Sequence, residues 1–285
     1  FNTTTYFCLI EPKLKLFQIP IIKWANNLAI IGTCAFTAYL FLSYLPNYVE
    51  GIRYTTVYIL VGLTILCASV SSSRISFLKI LSVSSTCLFF ILVILIAISS
   101  SMGVGGFLDS VSNLTGYFSN LNRFVTPVDE YHQFYLYWWF AWSIMIGQFV
   151  ARFTNGLRVS RLLLLLLVVP SIPIAIWFSV LYYFFSNEIV LGGRWQLAMV
   201  GVGILFVINS LDSLIRLYSE NIGFTADHVG KIRYVTANSL ALTALVLFYR
   251  FTPLKIEWIG LLVIGIYMAV AIMLFLRRAE LNQSG

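Results

Sequence analysis

Charge is what this chain has least of. Among 285 residues, 10% are Asp, Glu, Lys or Arg, while 60% are apolar. A soluble domain carries about 25% charged residues, so that class is excluded. Histidine occurs only at His132 and His228, and neither has a cysteine or acid cluster beside it, so no metal site is implied. The four cysteines (Cys8, Cys34, Cys67, Cys87) lack CxxC spacing. The last three lie in or beside apolar runs and read as small buried hydrophobes. No nucleotide loop, Ser/His/Asp set or paired carboxylates can be found, which leaves an enzyme reading without a residue to rest on and no cofactor to bind. The net charge of +7 is dispersed, whereas nucleic-acid binding needs a continuous basic face. Residues 1–18 lack the basic-then-apolar layout of a signal peptide. The first residue is Phe rather than Met, so the sequence is expected to be cut, processed or incomplete at its start.

What is abundant is long apolar runs, and the mean hydropathy is +0.90. A membrane-crossing helix needs roughly 20 apolar residues. By that measure about eight spans are expected, near residues 22–45, 55–70, 77–99, 133–150, 162–185, 195–217, 234–249 and 258–276. The stretch 105–118 is less apolar, with Phe107, Leu108, Val111, Leu114 and Phe118 at helical spacing, as in a helix lying on a membrane surface. Basic residues concentrate in every second connection: Lys13, Lys15 and Lys23; Arg74 and Lys79; Arg152, Arg158 and Arg161; Arg216, Lys231 and Arg233; Arg277 and Arg278. That alternation predicts an integral, multi-pass membrane protein with both termini on the cytoplasmic side. The fold class is therefore all-α, a polytopic transmembrane helix bundle surrounded by the lipid bilayer.

The most distinctive stretch is 135–152, YLYWWFAWSIMIGQFVAR. Tyr131, Tyr135, Trp138 and Trp142 recur every three or four residues and share a helix face, while Trp139 lies about 100° around the axis. Such a row can wall a cage for a quaternary ammonium, which offers no N–H donors and is best met by indole faces. The same composition also serves as an aromatic belt at the membrane–water interface. The order of residues resembles the signature helix of the betaine/carnitine/choline transporter family, YWAWWISWSPFVGxFIAR, at Tyr135, Trp138, Trp139, Trp142, Ser143, Gly147, Phe149, Ala151 and Arg152. Two further stretches resemble the family in the same order. Pro170 with Trp177, Phe178 and Ser179 is similar to its next helix, and Asn209-Ser210-Leu211-Asp212-Ser213 to its Thr-Ser-Ala-Asp-Ser.

The resemblance implies a leucine-transporter-type inverted-repeat fold. Residues 133–278 would be the five-helix second repeat and 22–100 the last three helices of a truncated first repeat. Residues 101–132 would be an external loop, with cytoplasmic segments at 1–21 and 279–285. Four earlier family helices have no counterpart here. By the same resemblance Tyr135, Trp138, Trp139, Trp142 and Met145 contact substrate, with Met145 standing where the family often has Phe. Ile144 replaces a family proline, which restores a backbone N–H. Asn209 and Ser210 stand where sodium-coupled members offer a Thr-Ser pair, so they are the candidate sodium ligands, although Asn is longer than Thr and the expected sodium dependence is weak or absent.

Two functions are weighed. One is secondary transport of a quaternary ammonium or zwitterionic osmolyte. The other is a transport-inactive, transporter-derived scaffold subunit of a larger membrane complex, in keeping with the missing helices, Ile144 and Asn209. Asp212, four residues before Arg216, is expected to pair with it on one helix face rather than to serve as a proton or ion relay. The face of 133–150 bearing Ala141, Ser143, Gly147 and Gln148 is expected to need covering by the missing helices, a second copy or other membrane subunits.

Overall fold

A computed structural model describes residues 2–277 apart from Glu50, Val125, Pro127, Val128 and Asn155; the expected 279–285 tail lies outside the described residues. In chain order the helices are α1 (Asn2–Leu9), α2 (Glu11–Leu14), α3 (Pro20–Tyr48), α4 (Tyr54–Ser72), α5 (Ile75–Ser99), α6 (Gly103–Ser112), α7 (Leu114–Ser119), α8 (Glu130–Thr154), α9 (Val159–Ser186), α10 (Arg194–Ile222), α11 (Ala226–Val229), α12 (Lys231–Phe251) and α13 (Ile256–Leu276). The boundaries follow local chemistry. Pro20 opens α3, where its fixed φ suits the first turn and its missing N–H costs nothing. Gly223 closes α10 in the left-handed region at φ 76°, which lets the Phe224 N–H reach back to the Ser219 carbonyl at 2.8 Å.

Among the described residues, seven helices (α3, α4, α5, α9, α10, α12 and α13) are long and apolar enough to cross a membrane. The two short runs, 55–70 and 234–249, grow to 19 and 21 residues by taking in their flanks. The eighth expected span, α8, is 25 residues long but is not among the seven. Its tyrosines, tryptophans and Gln148 count as polar on a hydropathy scale, although their rings bury large apolar areas. At ~1.5 Å per residue it is nonetheless long enough for a bilayer core. It packs against three of the seven, mainly α13 and α3 and to a smaller extent α10. The stretch 105–118 is helical, in two pieces, α6 and α7, which meet at Asn113.

The main core gathers α3, α4, α8, α10, α12 and α13 around Ile30, Cys34, Ile65, Ile144, Leu211, Ile215, Leu242 and Val263, all nearly or fully buried. A smaller cluster forms where α5, α6 and α9 meet, around Leu92, Ile96, Met102, Val180 and Phe184. Outside these seams the spans expose many large apolar side chains. On α9, Leu164, Leu167, Val169 and Ile172 are all exposed, which is what a helix facing lipid tails requires.

The face of α8 that was expected to need an outside partner is covered from within the chain. Ala141 is fully buried. Gly147 admits α1 so closely that a Cβ there would stand 2.8 Å from the Cβ of Thr3. Gln148 Nε2 donates to Asn26 Oδ1 of α3, and Ser143 shares a hydrogen bond with the Tyr267 hydroxyl of α13. Small residues on α8 do invite close packing as predicted, but the groups that answer them belong to α1, α3 and α13.

Candidate functional site

Along α8 the aromatic row forms as its spacing requires. Ring centroids lie 5.4 Å apart for Tyr131 and Tyr135, 6.0 Å for Tyr135 and Trp138, and 6.3 Å for Trp138 and Trp142. The two indoles meet edge to face at 84°, the arrangement favoured by the ring quadrupoles. Trp138 and Trp142 are half-buried against the main core, and Met145, one turn further on, is only 1% exposed. Trp139 departs from the row and is 56% exposed, and Tyr135 is partly exposed at 38%. Thus the structure brings Trp138, Trp142 and Met145 together on the inward face and leaves Trp139 on the outward one.

The indole N–H groups of Trp138 and Trp142 are buried and meet no acceptor among the described residues. Buried donors are nearly always satisfied, so two together on one face call for an explanation. In this conformation they are closed off, and a ligand reaching them requires α8 to part from its neighbours.

Cavities open beside the row. Toward the start of α8 a cleft of about 380 Å³ is bounded by Phe36, Tyr39 and Tyr44 of α3 and by Glu130, Tyr131 and Phe134 of α8. Its rings continue into Tyr249 of α12, which packs on Phe36 and Tyr39 at 5.1 and 5.9 Å. A larger cavity of about 920 Å³ lies between α1 and α13, walled by Tyr6, Phe7, Phe140 and Leu274, with Ser143 and Tyr267 as polar groups. A third, of about 440 Å³, sits beyond Gln148 and has mixed charge: Glu11 and Glu220 face Lys23 and Arg152, with Asn26, Gln148 and Asn221 between them. There Glu11 Oε2 accepts from the Tyr6 hydroxyl at 2.8 Å, and the carboxylate also accepts from the Phe17 N–H. Burial raises the Glu11 carboxyl above the ordinary carboxylate value, against the pull of those donors.

Asn209 and Ser210 lie half-buried on α10. The Asn209 carbonyl accepts from Ser213 Oγ at 3.0 Å. One amide oxygen and one hydroxyl on a single turn fall short of the several oxygens that a hard cation needs. The expected Asp212–Arg216 pair does not form. Arg216 Nε instead meets Glu220 Oε1 at 2.9 Å, and Arg152 of α8 pairs with the same carboxylate. Asp212 is held by Ser71 Oγ at 2.7 Å and by Ser213 Oγ at 3.1 Å. The reason is position along the helix: a long Arg side chain extends toward the wet end of the span, while Asp212, fully buried, faces α4.

Sequence reasoning missed Ser71, Asn26 and Tyr267, the partners of Asp212, Gln148 and Ser143. Signals were available for the first two, in the Ser71-Ser72-Ser73 run at a span end and the Asn26-Asn27 pair inside an apolar run. Tyr267 sits in an apolar stretch with nothing to single it out.

Comparison with known proteins falls on this same region. The sequence profile of the betaine/carnitine/choline family transporters matches residues 28–184, from the third turn of α3 nearly to the end of α9. A glycine betaine/proline/choline transporter of Vibrio parahaemolyticus is 28% identical over 81 residues, 23% of this chain and 15% of the relative. An uncharacterized transporter of Haemophilus influenzae is 30% identical over 115 residues, 36% of this chain and 17% of the relative. The glycine betaine transporter OpuD of Bacillus subtilis is 36% identical over 53 residues, 19% of this chain and 10% of the relative. The chain thus matches less than a fifth of the length of each of these relatives. No solved structure matches it.

Proposed function

The chain belongs to the betaine/carnitine/choline transporter family, and from that premise we propose that it serves secondary transport of a quaternary ammonium or zwitterionic osmolyte such as glycine betaine, choline or carnitine. The observation that carries this reading is the inward face of α8, where Trp138 and Trp142 pack edge to face with both indole N–H groups unsatisfied. Their ring faces suit a trimethylammonium group, which is attracted by the quadrupole and needs no donor. Their N–H groups suit a carboxylate, so a betaine would find both halves of its charge answered on one helix face. Access requires α8 to separate from α3 and α13, which is the motion alternating access calls for. Tyr135 and Met145 border the same face, and Trp139, turned outward, takes no part in binding.

The scaffold alternative has no observation in its favour, because the α8 face offered to partner subunits is occupied by α1, α3 and α13. The test is binding and liposome uptake of glycine betaine and choline by the full-length protein and by Trp138→Leu, Trp142→Leu and Trp139→Leu. Loss of one desolvated cation–π partner costs on the order of 2 kcal/mol, roughly thirtyfold in affinity. That loss is expected for the first two variants and parent-like binding for the third. A parent that binds neither ligand, or three variants that all bind like it, would overturn the reading.

A further inference from the structure

The cleft of about 380 Å³ between α3 and α8 is walled by five aromatic rings, from Phe36, Tyr39 and Tyr44 on one side and Tyr131 and Phe134 on the other. The two helices are tied across it. The rings of Phe36 and Phe134 lie 6.0 Å apart, and the hydroxyls of Tyr44 and Tyr131 meet at 3.4 Å. Among the described residues Glu130 is the one charged side chain that lines the cleft, and no ion pair reaches it. Asp129 adds a second negative charge beside it, its Oδ1 accepting from the His132 N–H at 2.6 Å. Ser43 also lines the cleft, and its hydroxyl oxygen is buried with no hydrogen-bond partner among the described residues. Glu130 and Tyr131 are both exposed, the latter at 59%, so the cleft can be entered in the conformation that closes off the Trp138 and Trp142 indoles.

Aromatic walls attract a methylated ammonium group, which needs no hydrogen-bond acceptor. A carboxylate with no cation beside it adds attraction for a ligand of net positive charge and repels the carboxylate of a zwitterion. The Ser43 hydroxyl can donate or accept, so it would answer an alcohol and a carboxylate alike. Glu130 is therefore the group that separates the two. We propose that this cleft is a binding site distinct from the Trp138–Trp142 face, and that Glu130 makes it selective for a cationic quaternary ammonium bearing a hydroxyl, such as choline, over the zwitterion glycine betaine. Its place on a transport path rests on the reading above; its binding does not.

The test is calorimetric titration with choline, glycine betaine and tetramethylammonium, using full-length protein in nanodiscs free of phosphatidylcholine. The protein carries Trp138→Leu and Trp142→Leu, which remove the inner face. Choline is expected to bind this double variant more tightly than glycine betaine. Adding Glu130→Gln should lower that preference by about three- to fivefold, the worth of one exposed charge. Adding Tyr131→Leu should weaken choline by about two- to fivefold, the worth of one exposed ring. Ser43→Ala should weaken choline and leave tetramethylammonium, which has no hydroxyl, unchanged. If the double variant fails to fold, Glu130→Gln in the otherwise unchanged protein must still lower the ratio of choline to betaine affinity. No choline binding by a folded double variant, or a preference unmoved by Glu130→Gln, overturns the proposal even if the parent takes up betaine. Choline binding at the cleft without any uptake upholds it and counts against the transport reading instead.

Discussion

Gln148 of α8 donates through Nε2 to Oδ1 of Asn26 on α3 at 2.8 Å, at the edge of the mixed-charge cavity, where its Oε1 also accepts from Asn221. Asn26 is 3% exposed while Gln148 is half-buried. Interhelical hydrogen bonds between spans are worth about 0.6 kcal/mol on average, with values up to about 1.7 kcal/mol. A double-mutant cycle with Gln148→Leu and Asn26→Leu, read by thermal unfolding in mild detergent, is expected to give a coupling of about 1 kcal/mol. A coupling near zero would show that the two amides find other partners when separated.

α13 approaches α8 closely at Gly260. A Cβ on Gly260 would stand 2.8 Å from Tyr137 Cδ1 and 2.9 Å from the Tyr137 carbonyl oxygen, which belongs to the backbone and cannot swing aside. Gly260→Ala is therefore expected to cost about 1–3 kcal/mol through overpacking. Gly265→Ala, on the same helix with nothing within 4 Å of its Cβ, should stay within about 0.5 kcal/mol of the parent. Equal melting temperatures for the two variants would contradict the close approach.

Sodium dependence is expected to be weak. Asn209 and Ser210 supply few of the oxygens that a hard cation needs at fixed distance. Uptake with sodium replaced by potassium should fall by less than tenfold. A larger fall would mean that Asn209 does serve an ion.

Glu11 should make the seating of α1 and α2 sensitive to pH. Its folded value is raised by burial, so its contribution to stability is full below the ordinary carboxylate range and is lost as pH rises through the folded value. Thermal stability should therefore decline over the interval from about pH 4 to somewhat above, and Glu11→Gln should remove that part of the decline. A stability that rises across the interval in the parent alone would reverse the assignment.

Much of this protein was legible in its sequence because the relevant signals are local. Apolar runs longer than a bilayer's width specify spans, and residues three or four apart must share a helix face. The Tyr131–Tyr135–Trp138–Trp142 row therefore followed from spacing alone, and its order pointed to the family. Tertiary structure decided what spacing leaves equal. Arg216 has an acid four residues away on each side, Asp212 before it and Glu220 after it, and the i,i+4 rule does not choose between them. The fold chose Glu220 by burying Asp212 against Ser71, 141 residues distant in the chain, and leaving Glu220 where Arg152 could also reach it. Likewise Gly147 announced a close contact but not that Thr3 would make it. Contacts between helices depend on the direction each face takes in three dimensions, and no local periodicity encodes that direction.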